Sequence, residues 1–233
     1  MPYSVDDIVK AYEILVKGIE VEANENEERA YGGIIRAGKG KLVESIARHM
    51  VDIAWNNLDG RPERLSFEKT TVKIPINKEY IKKLKYKEVR DYISSHIDEY
   101  YYGLRTDVHV SIDKQLVMGI ECKAYTENAM LKRVLVDFSL LSSVFPKIKC
   151  VLLQLESQLT GDYSDPTKTI IYGSPSTHTL LSYFGVDLNI ITLLEGERRV
   201  DEPIHNQQYY KSLKKEILEL GIGKIEELLR EFV

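Results

Sequence analysis

The chain has little cysteine: only Cys122 and Cys150 among 233 residues. Two thiols cannot build a disulfide framework or a cysteine-rich zinc site. It has no apolar run long enough to span a bilayer, since even the stretch from Val134 to Leu141 is interrupted by Asp137. The first residues, MPYSVDDIVK, lack the basic start and apolar stretch of a secretory signal. Gly38-Lys39-Gly40-Lys41 lacks the order of a nucleotide-binding P-loop. His49, His96, His109, His178 and His205 show no metal-ligand spacing. Ser174, Ser176 and His178 form no nucleophile elbow. There is no repeat and no low-complexity segment. Together these absences exclude a secreted disulfide scaffold, a membrane span and a P-loop enzyme, and the expected compartment is the cytoplasm.

What is present is the composition of a globular protein, 43% hydrophobic and 29% charged. The length suits one sizeable core, so residues 1–233 read as a single domain with terminal helices around a core at about 36–195. The net charge is -4, so a nucleic-acid partner would need a local positive face. The charge is in fact uneven. Glu20 to Glu28 holds five Glu and no Lys or Arg, while Lys69 to Arg90 is dominated by Lys.

Apolar residues recur at helical spacing in Val5 to Glu22, with Ser4 as N-cap, and again from Gly40 to Asn56. Between them Gly32, Gly33, Gly38 and Gly40 predict a turn region carrying Arg36, Lys39 and Lys41. Leu65 to Ile76 reads as extended and Lys78 to Glu99 as a third helix. Asp107 to Ile112 and Leu116 to Ala124 alternate as strands about a turn at Asp113-Lys114-Gln115. A helix over Thr126 to Ser143, a buried strand at Cys150 to Leu155 and a short strand at Thr169 to Tyr172 follow. Ser176 to Phe184 reads as a helix, Leu188 to Leu194 as a strand, and Gln207 to Val233 as two helical pieces broken at Gly221 to Gly223. This order predicts an α/β fold, a mixed central sheet flanked by α-helices on both faces.

The chemistry concentrates on one hairpin. Side chains alternate along a strand, so Glu121 and Lys123 share one face while Ile120 and Cys122 take the other. A hairpin brings Asp107 near Glu121, and two neighbouring carboxylates repel unless a cation lies between them. Magnesium suits such a pair, because it takes oxygen ligands and keeps several waters. The Cys122 carbonyl could add a ligand, and Lys123 would stand near an attacking water. The competing reading is a surface ion pair between Glu121 and Lys123 on an edge strand. Arg36, Lys39 and Lys41, at a glycine-rich helix start, suit phosphate, with a plain surface loop as the alternative. His109 points the same way as Asp107, and a structural role is the simpler reading for it.

Asp107…Glu121-Cys122-Lys123 resembles the signature of the PD-(D/E)xK nuclease superfamily, above all its type II restriction endonucleases. The proline of that motif is replaced by Thr106 here, and the match runs over about residues 36 to 156. The resemblance implies a mixed sheet flanked by helices, magnesium held by Asp107 and Glu121, and cleavage of double-stranded DNA. Glu44 occupies the place of an additional acidic residue that many members carry on an upstream helix. Enzymes that cut both strands of a palindrome work as symmetric pairs, so a homodimer is expected. A repair or junction-resolving nuclease of the same superfamily, or a non-catalytic DNA-binding protein with this fold, are the alternatives. The base-reading segments are expected in Gln158 to Thr169 and Arg198 to Gln208.

Overall fold

The computed structural model describes residues 4–25, 31–68, 70–161, 163–164, 174–202, 204 and 206–233, with the backbone alone for 19–25 and 31–37. The expected strand at Thr169 to Tyr172 lies outside the described residues.

Two helices open the chain: α1 (Val5–Glu25) and α2 (Tyr31–Asn57). Ser4 caps α1 as expected. Its hydroxyl accepts the Asp7 N–H at 3.3 Å and donates to the Asp7 carboxylate at 2.7 Å. The predicted turn region does not exist as such, because α2 is helical from Tyr31 through its glycines. A glycine costs a helix only about 1 kcal/mol, and adding turns to an existing helix is far cheaper than starting one. The strongly apolar stripe of Leu42, Val43, Ile46 and Met50 supplies that helix, and no proline intervenes.

Five strands form the main sheet in the order β1 (Leu65–Phe67), β4 (Val108–Ile112), β5 (Gln115–Thr126), β6 (Lys149–Ser157), β7 (Leu188–Thr192). The first two pairings are antiparallel and the last two parallel, so the sheet is mixed, as expected. The segment read as one extended piece from Leu65 is divided between sheets. Its second part, β2 (Val72–Pro75), pairs with β3 (Tyr101–Leu104) in a separate two-stranded sheet. Between them Lys78 to Glu99 is not one helix but α3 (Lys78–Lys83) and α4 (Lys87–Ser95). Each buries one isoleucine, Ile81 or Ile93. Twelve residues apart, these would stand roughly 120° apart on one straight helix, so a single rod would turn them in different directions, and the break lets each segment bury its own. The Arg90 guanidinium donates to the carbonyls of Leu84 and Lys85, which the break frees.

Helices cover both faces of the main sheet. On one, Val108, Val110, Ile120, Cys122, Val151 and Leu153 pack against α1, α2 and α7 (Lys215–Leu229). On the other, Cys150, Leu152 and Ile190 pack with α5 (Asn128–Val144) and with Ile74 and Leu104 of the small sheet. Partly buried Leu180 and Leu181 of α6 (Pro175–Tyr183) join this second core. The expected break at Gly221 to Gly223 is absent, since α7 is continuous. A Cβ on Gly221 would come within 2.7 Å of Met50 Cε and 3.1 Å of Ile191 Cγ2, so this glycine serves the close approach of α7 to α2 and to β7, not chain reversal. Among the described residues no helix is long and apolar enough to cross a membrane.

Candidate active site

The site is built by the β4–β5 hairpin. Its two-residue turn, Asp113-Lys114, takes positive φ at both positions (50° and 65°), the mirror-type turn whose twist matches the strands it joins. Ser111 pairs with Leu116 but Val110 pairs with Met118, so Val117 is an extra residue in β5. Beyond this bulge Val108 faces Ile120, and the same register carried one residue further sets Asp107 opposite Glu121. Val117 and Met118 both enter the α1–α2–α7 core, as a bulge requires.

Asp107 is held by the backbone. Its Oδ2 accepts the Cys122 N–H at 2.8 Å and the Lys123 ammonium at 3.1 Å. The same Lys123 Nζ donates to Glu121 Oε2 at 2.6 Å. One cation thus bridges two carboxylates, and the surface-pair reading is overturned: Glu121 is only 8% exposed, on a strand hydrogen-bonded on both sides. Burial, with the Asp107 charge added, pushes the Glu121 carboxyl up to about 7 in spite of Lys123. Burial would lower the Lys123 ammonium, yet Glu121 and Asp107 together hold it above the ordinary lysine value. The Cys122 thiol, on the opposite face, is pushed up by burial.

The residue before Asp107 is fixed by a histidine. The Thr106 N–H donates to His109 Nε2 at 3.2 Å, so the ring proton sits on Nδ1, 3.4 Å from Thr70 Oγ1. Burial first, then Arg105, lowers the His109 pKa and keeps it neutral. His109 is therefore a brace for the chain entering the site.

The structure scatters the other expected residues. Glu44 is half-buried on α2, where its charge bears on the Cys122 thiol. It does not complete a three-ligand cluster, for among the described residues no three His, Cys, Asp or Glu gather as a metal site. Arg36, Lys39 and Lys41 lie within α2, not at its start, so their amides are engaged in helix and the expected helix-start anion site is lost. Lys41 is exposed, and Lys39 is half-buried within reach of the charges of Glu156 and Arg198. The side chain of Arg36 lies outside the described residues.

Three residues near the site were not expected there from the sequence, although Arg198 opens one of the segments expected to read bases. Asp137, on α5, feels the charge of Lys123, and burial raises its carboxyl against the pull of Arg133 and Lys123. Its signal was there, as the lone charge in an apolar helical run. Gln154 lies beside Lys123 in the parallel register, fully buried, donating to Thr192 Oγ1 at 2.9 Å. Arg198 stacks on Tyr125, two residues beyond Lys123. Neither has a motif: the sheet register reveals Gln154, and the path of the chain after β7 reveals Arg198.

A five-stranded mixed sheet flanked by helices on both faces is the architecture of a restriction-endonuclease-like core, and the hairpin with its two carboxylates and one lysine lies at its centre. The chain is 54% identical over 208 residues to the type II restriction enzyme DdeI of Desulfomicrobium norvegicum, a match spanning 88% of this chain and 86% of that one. It belongs to the type II restriction enzymes, and is a site-specific deoxyribonuclease. No family model matches the chain, and no solved structure matches it.

Proposed function

We propose that the protein hydrolyses phosphodiester bonds of double-stranded DNA at a fixed sequence, with magnesium, as a homodimer of the PD-(D/E)xK superfamily. The observation that carries this reading is the pair of carboxylates, Asp107 and Glu121, drawn onto one cation across the hairpin. Two carboxylates are too few for a site that surrounds its ion with protein ligands. They suit magnesium, which binds one or two carboxylates and completes its shell with water and substrate phosphate. Asp107 and Glu121 would hold the ion, with the Cys122 carbonyl as a further oxygen. When bound, it would supply Lewis-acid charge to the phosphate and lower the pKa of a bound water.

The chain's own groups do the rest. The Cys122 N–H keeps the Asp107 carboxylate aimed across the hairpin. Lys123, released from its double bridge, places a compact cation where negative charge grows on the phosphate. Glu44, half-buried on α2, is an auxiliary acid outside the Asp107–Glu121 pair, so Glu44→Gln should cost less activity than Asp107→Ala. Lys39, Lys41 and Arg36 contribute positive charge to the DNA path. The test is plasmid digestion with magnesium and with a chelator. Discrete fragments with magnesium alone are expected, and cleavage that persists in chelator would overturn the metal assignment. Fragments without fixed ends would point instead to a structure-reading nuclease.

A further inference from the structure

Beyond the hairpin the molecule carries a second cluster of charge on the C-terminal ends of the parallel strands. Glu121, Lys123 and Tyr125 follow one another on one face of β5, with Leu152, Gln154 and Glu156 beside them on β6. After β7 the chain stays against β6: Glu197 bridges Ser157, and the Arg198 N–H donates to the Ser157 carbonyl at 2.7 Å. From there the Arg198 guanidinium lies 3.8 Å from the centre of the Tyr125 ring and donates one N–H to Gln158 Oε1 at 2.6 Å.

Lys211 joins from the segment before α7. Its ammonium lies 3.0 Å from Glu156 Oε1, off the angle of a hydrogen bond, and donates to the Glu197 carbonyl at 3.3 Å. The Tyr12 hydroxyl donates to the Lys211 carbonyl at 2.8 Å and fixes that residue's backbone. Glu156 is only 4% exposed, so an almost buried carboxylate holds the Lys211 ammonium instead of leaving it to swing in solvent. Lys39 feels both Glu156 and Arg198.

We propose that Arg198, supported by Lys39 and Lys211 around Glu156, is a clamp for the DNA phosphate next to the scissile one. The reading rests on the active site assigned above. Tyr125 is two residues beyond Lys123 on the same face, about 6.6 Å along the strand, so the clamp adjoins the reacting phosphate without overlapping it. A guanidinium has five N–H donors in a rigid fork, and Gln158 engages one of them. The fork suits a phosphate, and its stacking on Tyr125 orients it before DNA arrives. A fixed donor of this kind adds to binding and to register, whereas Lys123 acts on the rate. The clamp also puts an arginine from the segment after β7 on the backbone, leaving that segment's exposed polar residues nearer the bases.

The experiment begins with mapping the cut on plasmid DNA, then uses a short duplex of that sequence. In one duplex series a neutral methylphosphonate replaces each phosphate flanking the scissile one in turn. Binding is measured in calcium for the wild-type protein and for Arg198→Ala. The wild-type Kd should rise about tenfold for one of the two neutral positions, and Arg198→Ala should bind the unmodified duplex about tenfold more weakly. On that modified duplex the variant should show no further loss. Its log–log salt slope should be shallower by about 0.9. Single-turnover cleavage at saturating enzyme should stay within about threefold of wild type. Equal losses for variant and wild type on the modified duplex, or an unchanged Kd and slope, would overturn the clamp. If Arg198→Ala fails to fold, Arg198→Gln, which keeps an amide for Gln158, is measured in the same way. Failure of the underlying active site would show separately, as wild-type cleavage that needs neither metal nor Asp107.

Discussion

The amide of Cys122 donates to the carboxylate of Asp107 at 2.8 Å, so the backbone of the second hairpin strand holds the acid at the entrance of the first. The acceptor for this bond need not be charged. Asp107→Asn should therefore keep the hairpin and the thermal stability while losing cleavage by about 10³-fold, the scale of several kcal/mol of lost metal stabilisation. Asp107→Ala should lose both cleavage and some stability. The check is magnesium-dependent cleavage alongside thermal unfolding, and an active Asn variant would end Asp107's role as ligand.

Lys123 stands between the two carboxylates, and its loss separates catalysis from binding. Lys123→Ala should slow single-turnover cleavage by two or more orders of magnitude, about 3 kcal/mol or more, with Kd in calcium nearly unchanged. Lys123→Arg should rescue poorly, since a planar fork cannot replace a compact ammonium between two oxygens. Wild-type cleavage by the alanine variant would remove this strand from the chemistry.

The raised Glu121 carboxyl makes a pH-dependent contribution to stability in the absence of metal. Its pKa moves from 4.5 to about 7 on folding, so between those values the folded state binds more protons than the unfolded one. Stability from this group is thus present at low pH and is lost as pH rises through about 7. Glu121→Gln should be more stable than the parent in chelator at pH 8, with the gap closing below pH 7, and should not cleave. Thermal melts across pH give the answer, and a gap that is flat with pH would contradict the buried, ionisable Glu121.

Gly221 and Gly223 share a helix but differ in surroundings. Gly221→Val should destabilise by about 1–3 kcal/mol, because its added bulk meets Met50 and Ile191. Gly223 is exposed with nothing within 4 Å of an added Cβ, so Gly223→Ala should stabilise by about 0.5–1 kcal/mol. Denaturant unfolding distinguishes the two, and matching signs would refute the packing account.

The sequence displayed the hairpin, the flanking helices and the carboxylate–lysine group because each is a local pattern. Alternation reports which side of a strand is buried, and Glu121 and Lys123 stand out against Ile120 and Cys122. Glycine misled twice, in α2 and in α7, because its helix penalty is smaller than the apolar stripes that override it. The break after Lys83 and the second small sheet depend on which surface each segment meets, and that is a property of the whole chain. The same holds for Gln154 and Arg198. They reach the site through strand register and a crossing loop, far from Glu121 in sequence.

The extra residue at Val117 limits how this hairpin can change length. Partners across an unbulged two-residue hairpin are separated by odd numbers, as Ile112 and Gln115 are, whereas Asp107 and Glu121 are separated by 14. An even interval can put the two acids opposite each other only with one unpaired residue somewhere between them. A single deletion in the turn would leave the acids out of step, on opposite sides of the sheet, even if every remaining side chain were kept. Two deletions, or one deletion that also erases the bulge, would leave them facing. Shortening of this hairpin among functional relatives should therefore come in steps of two, unless the bulge is gained or lost with it, whereas an added residue can be taken up by a longer turn.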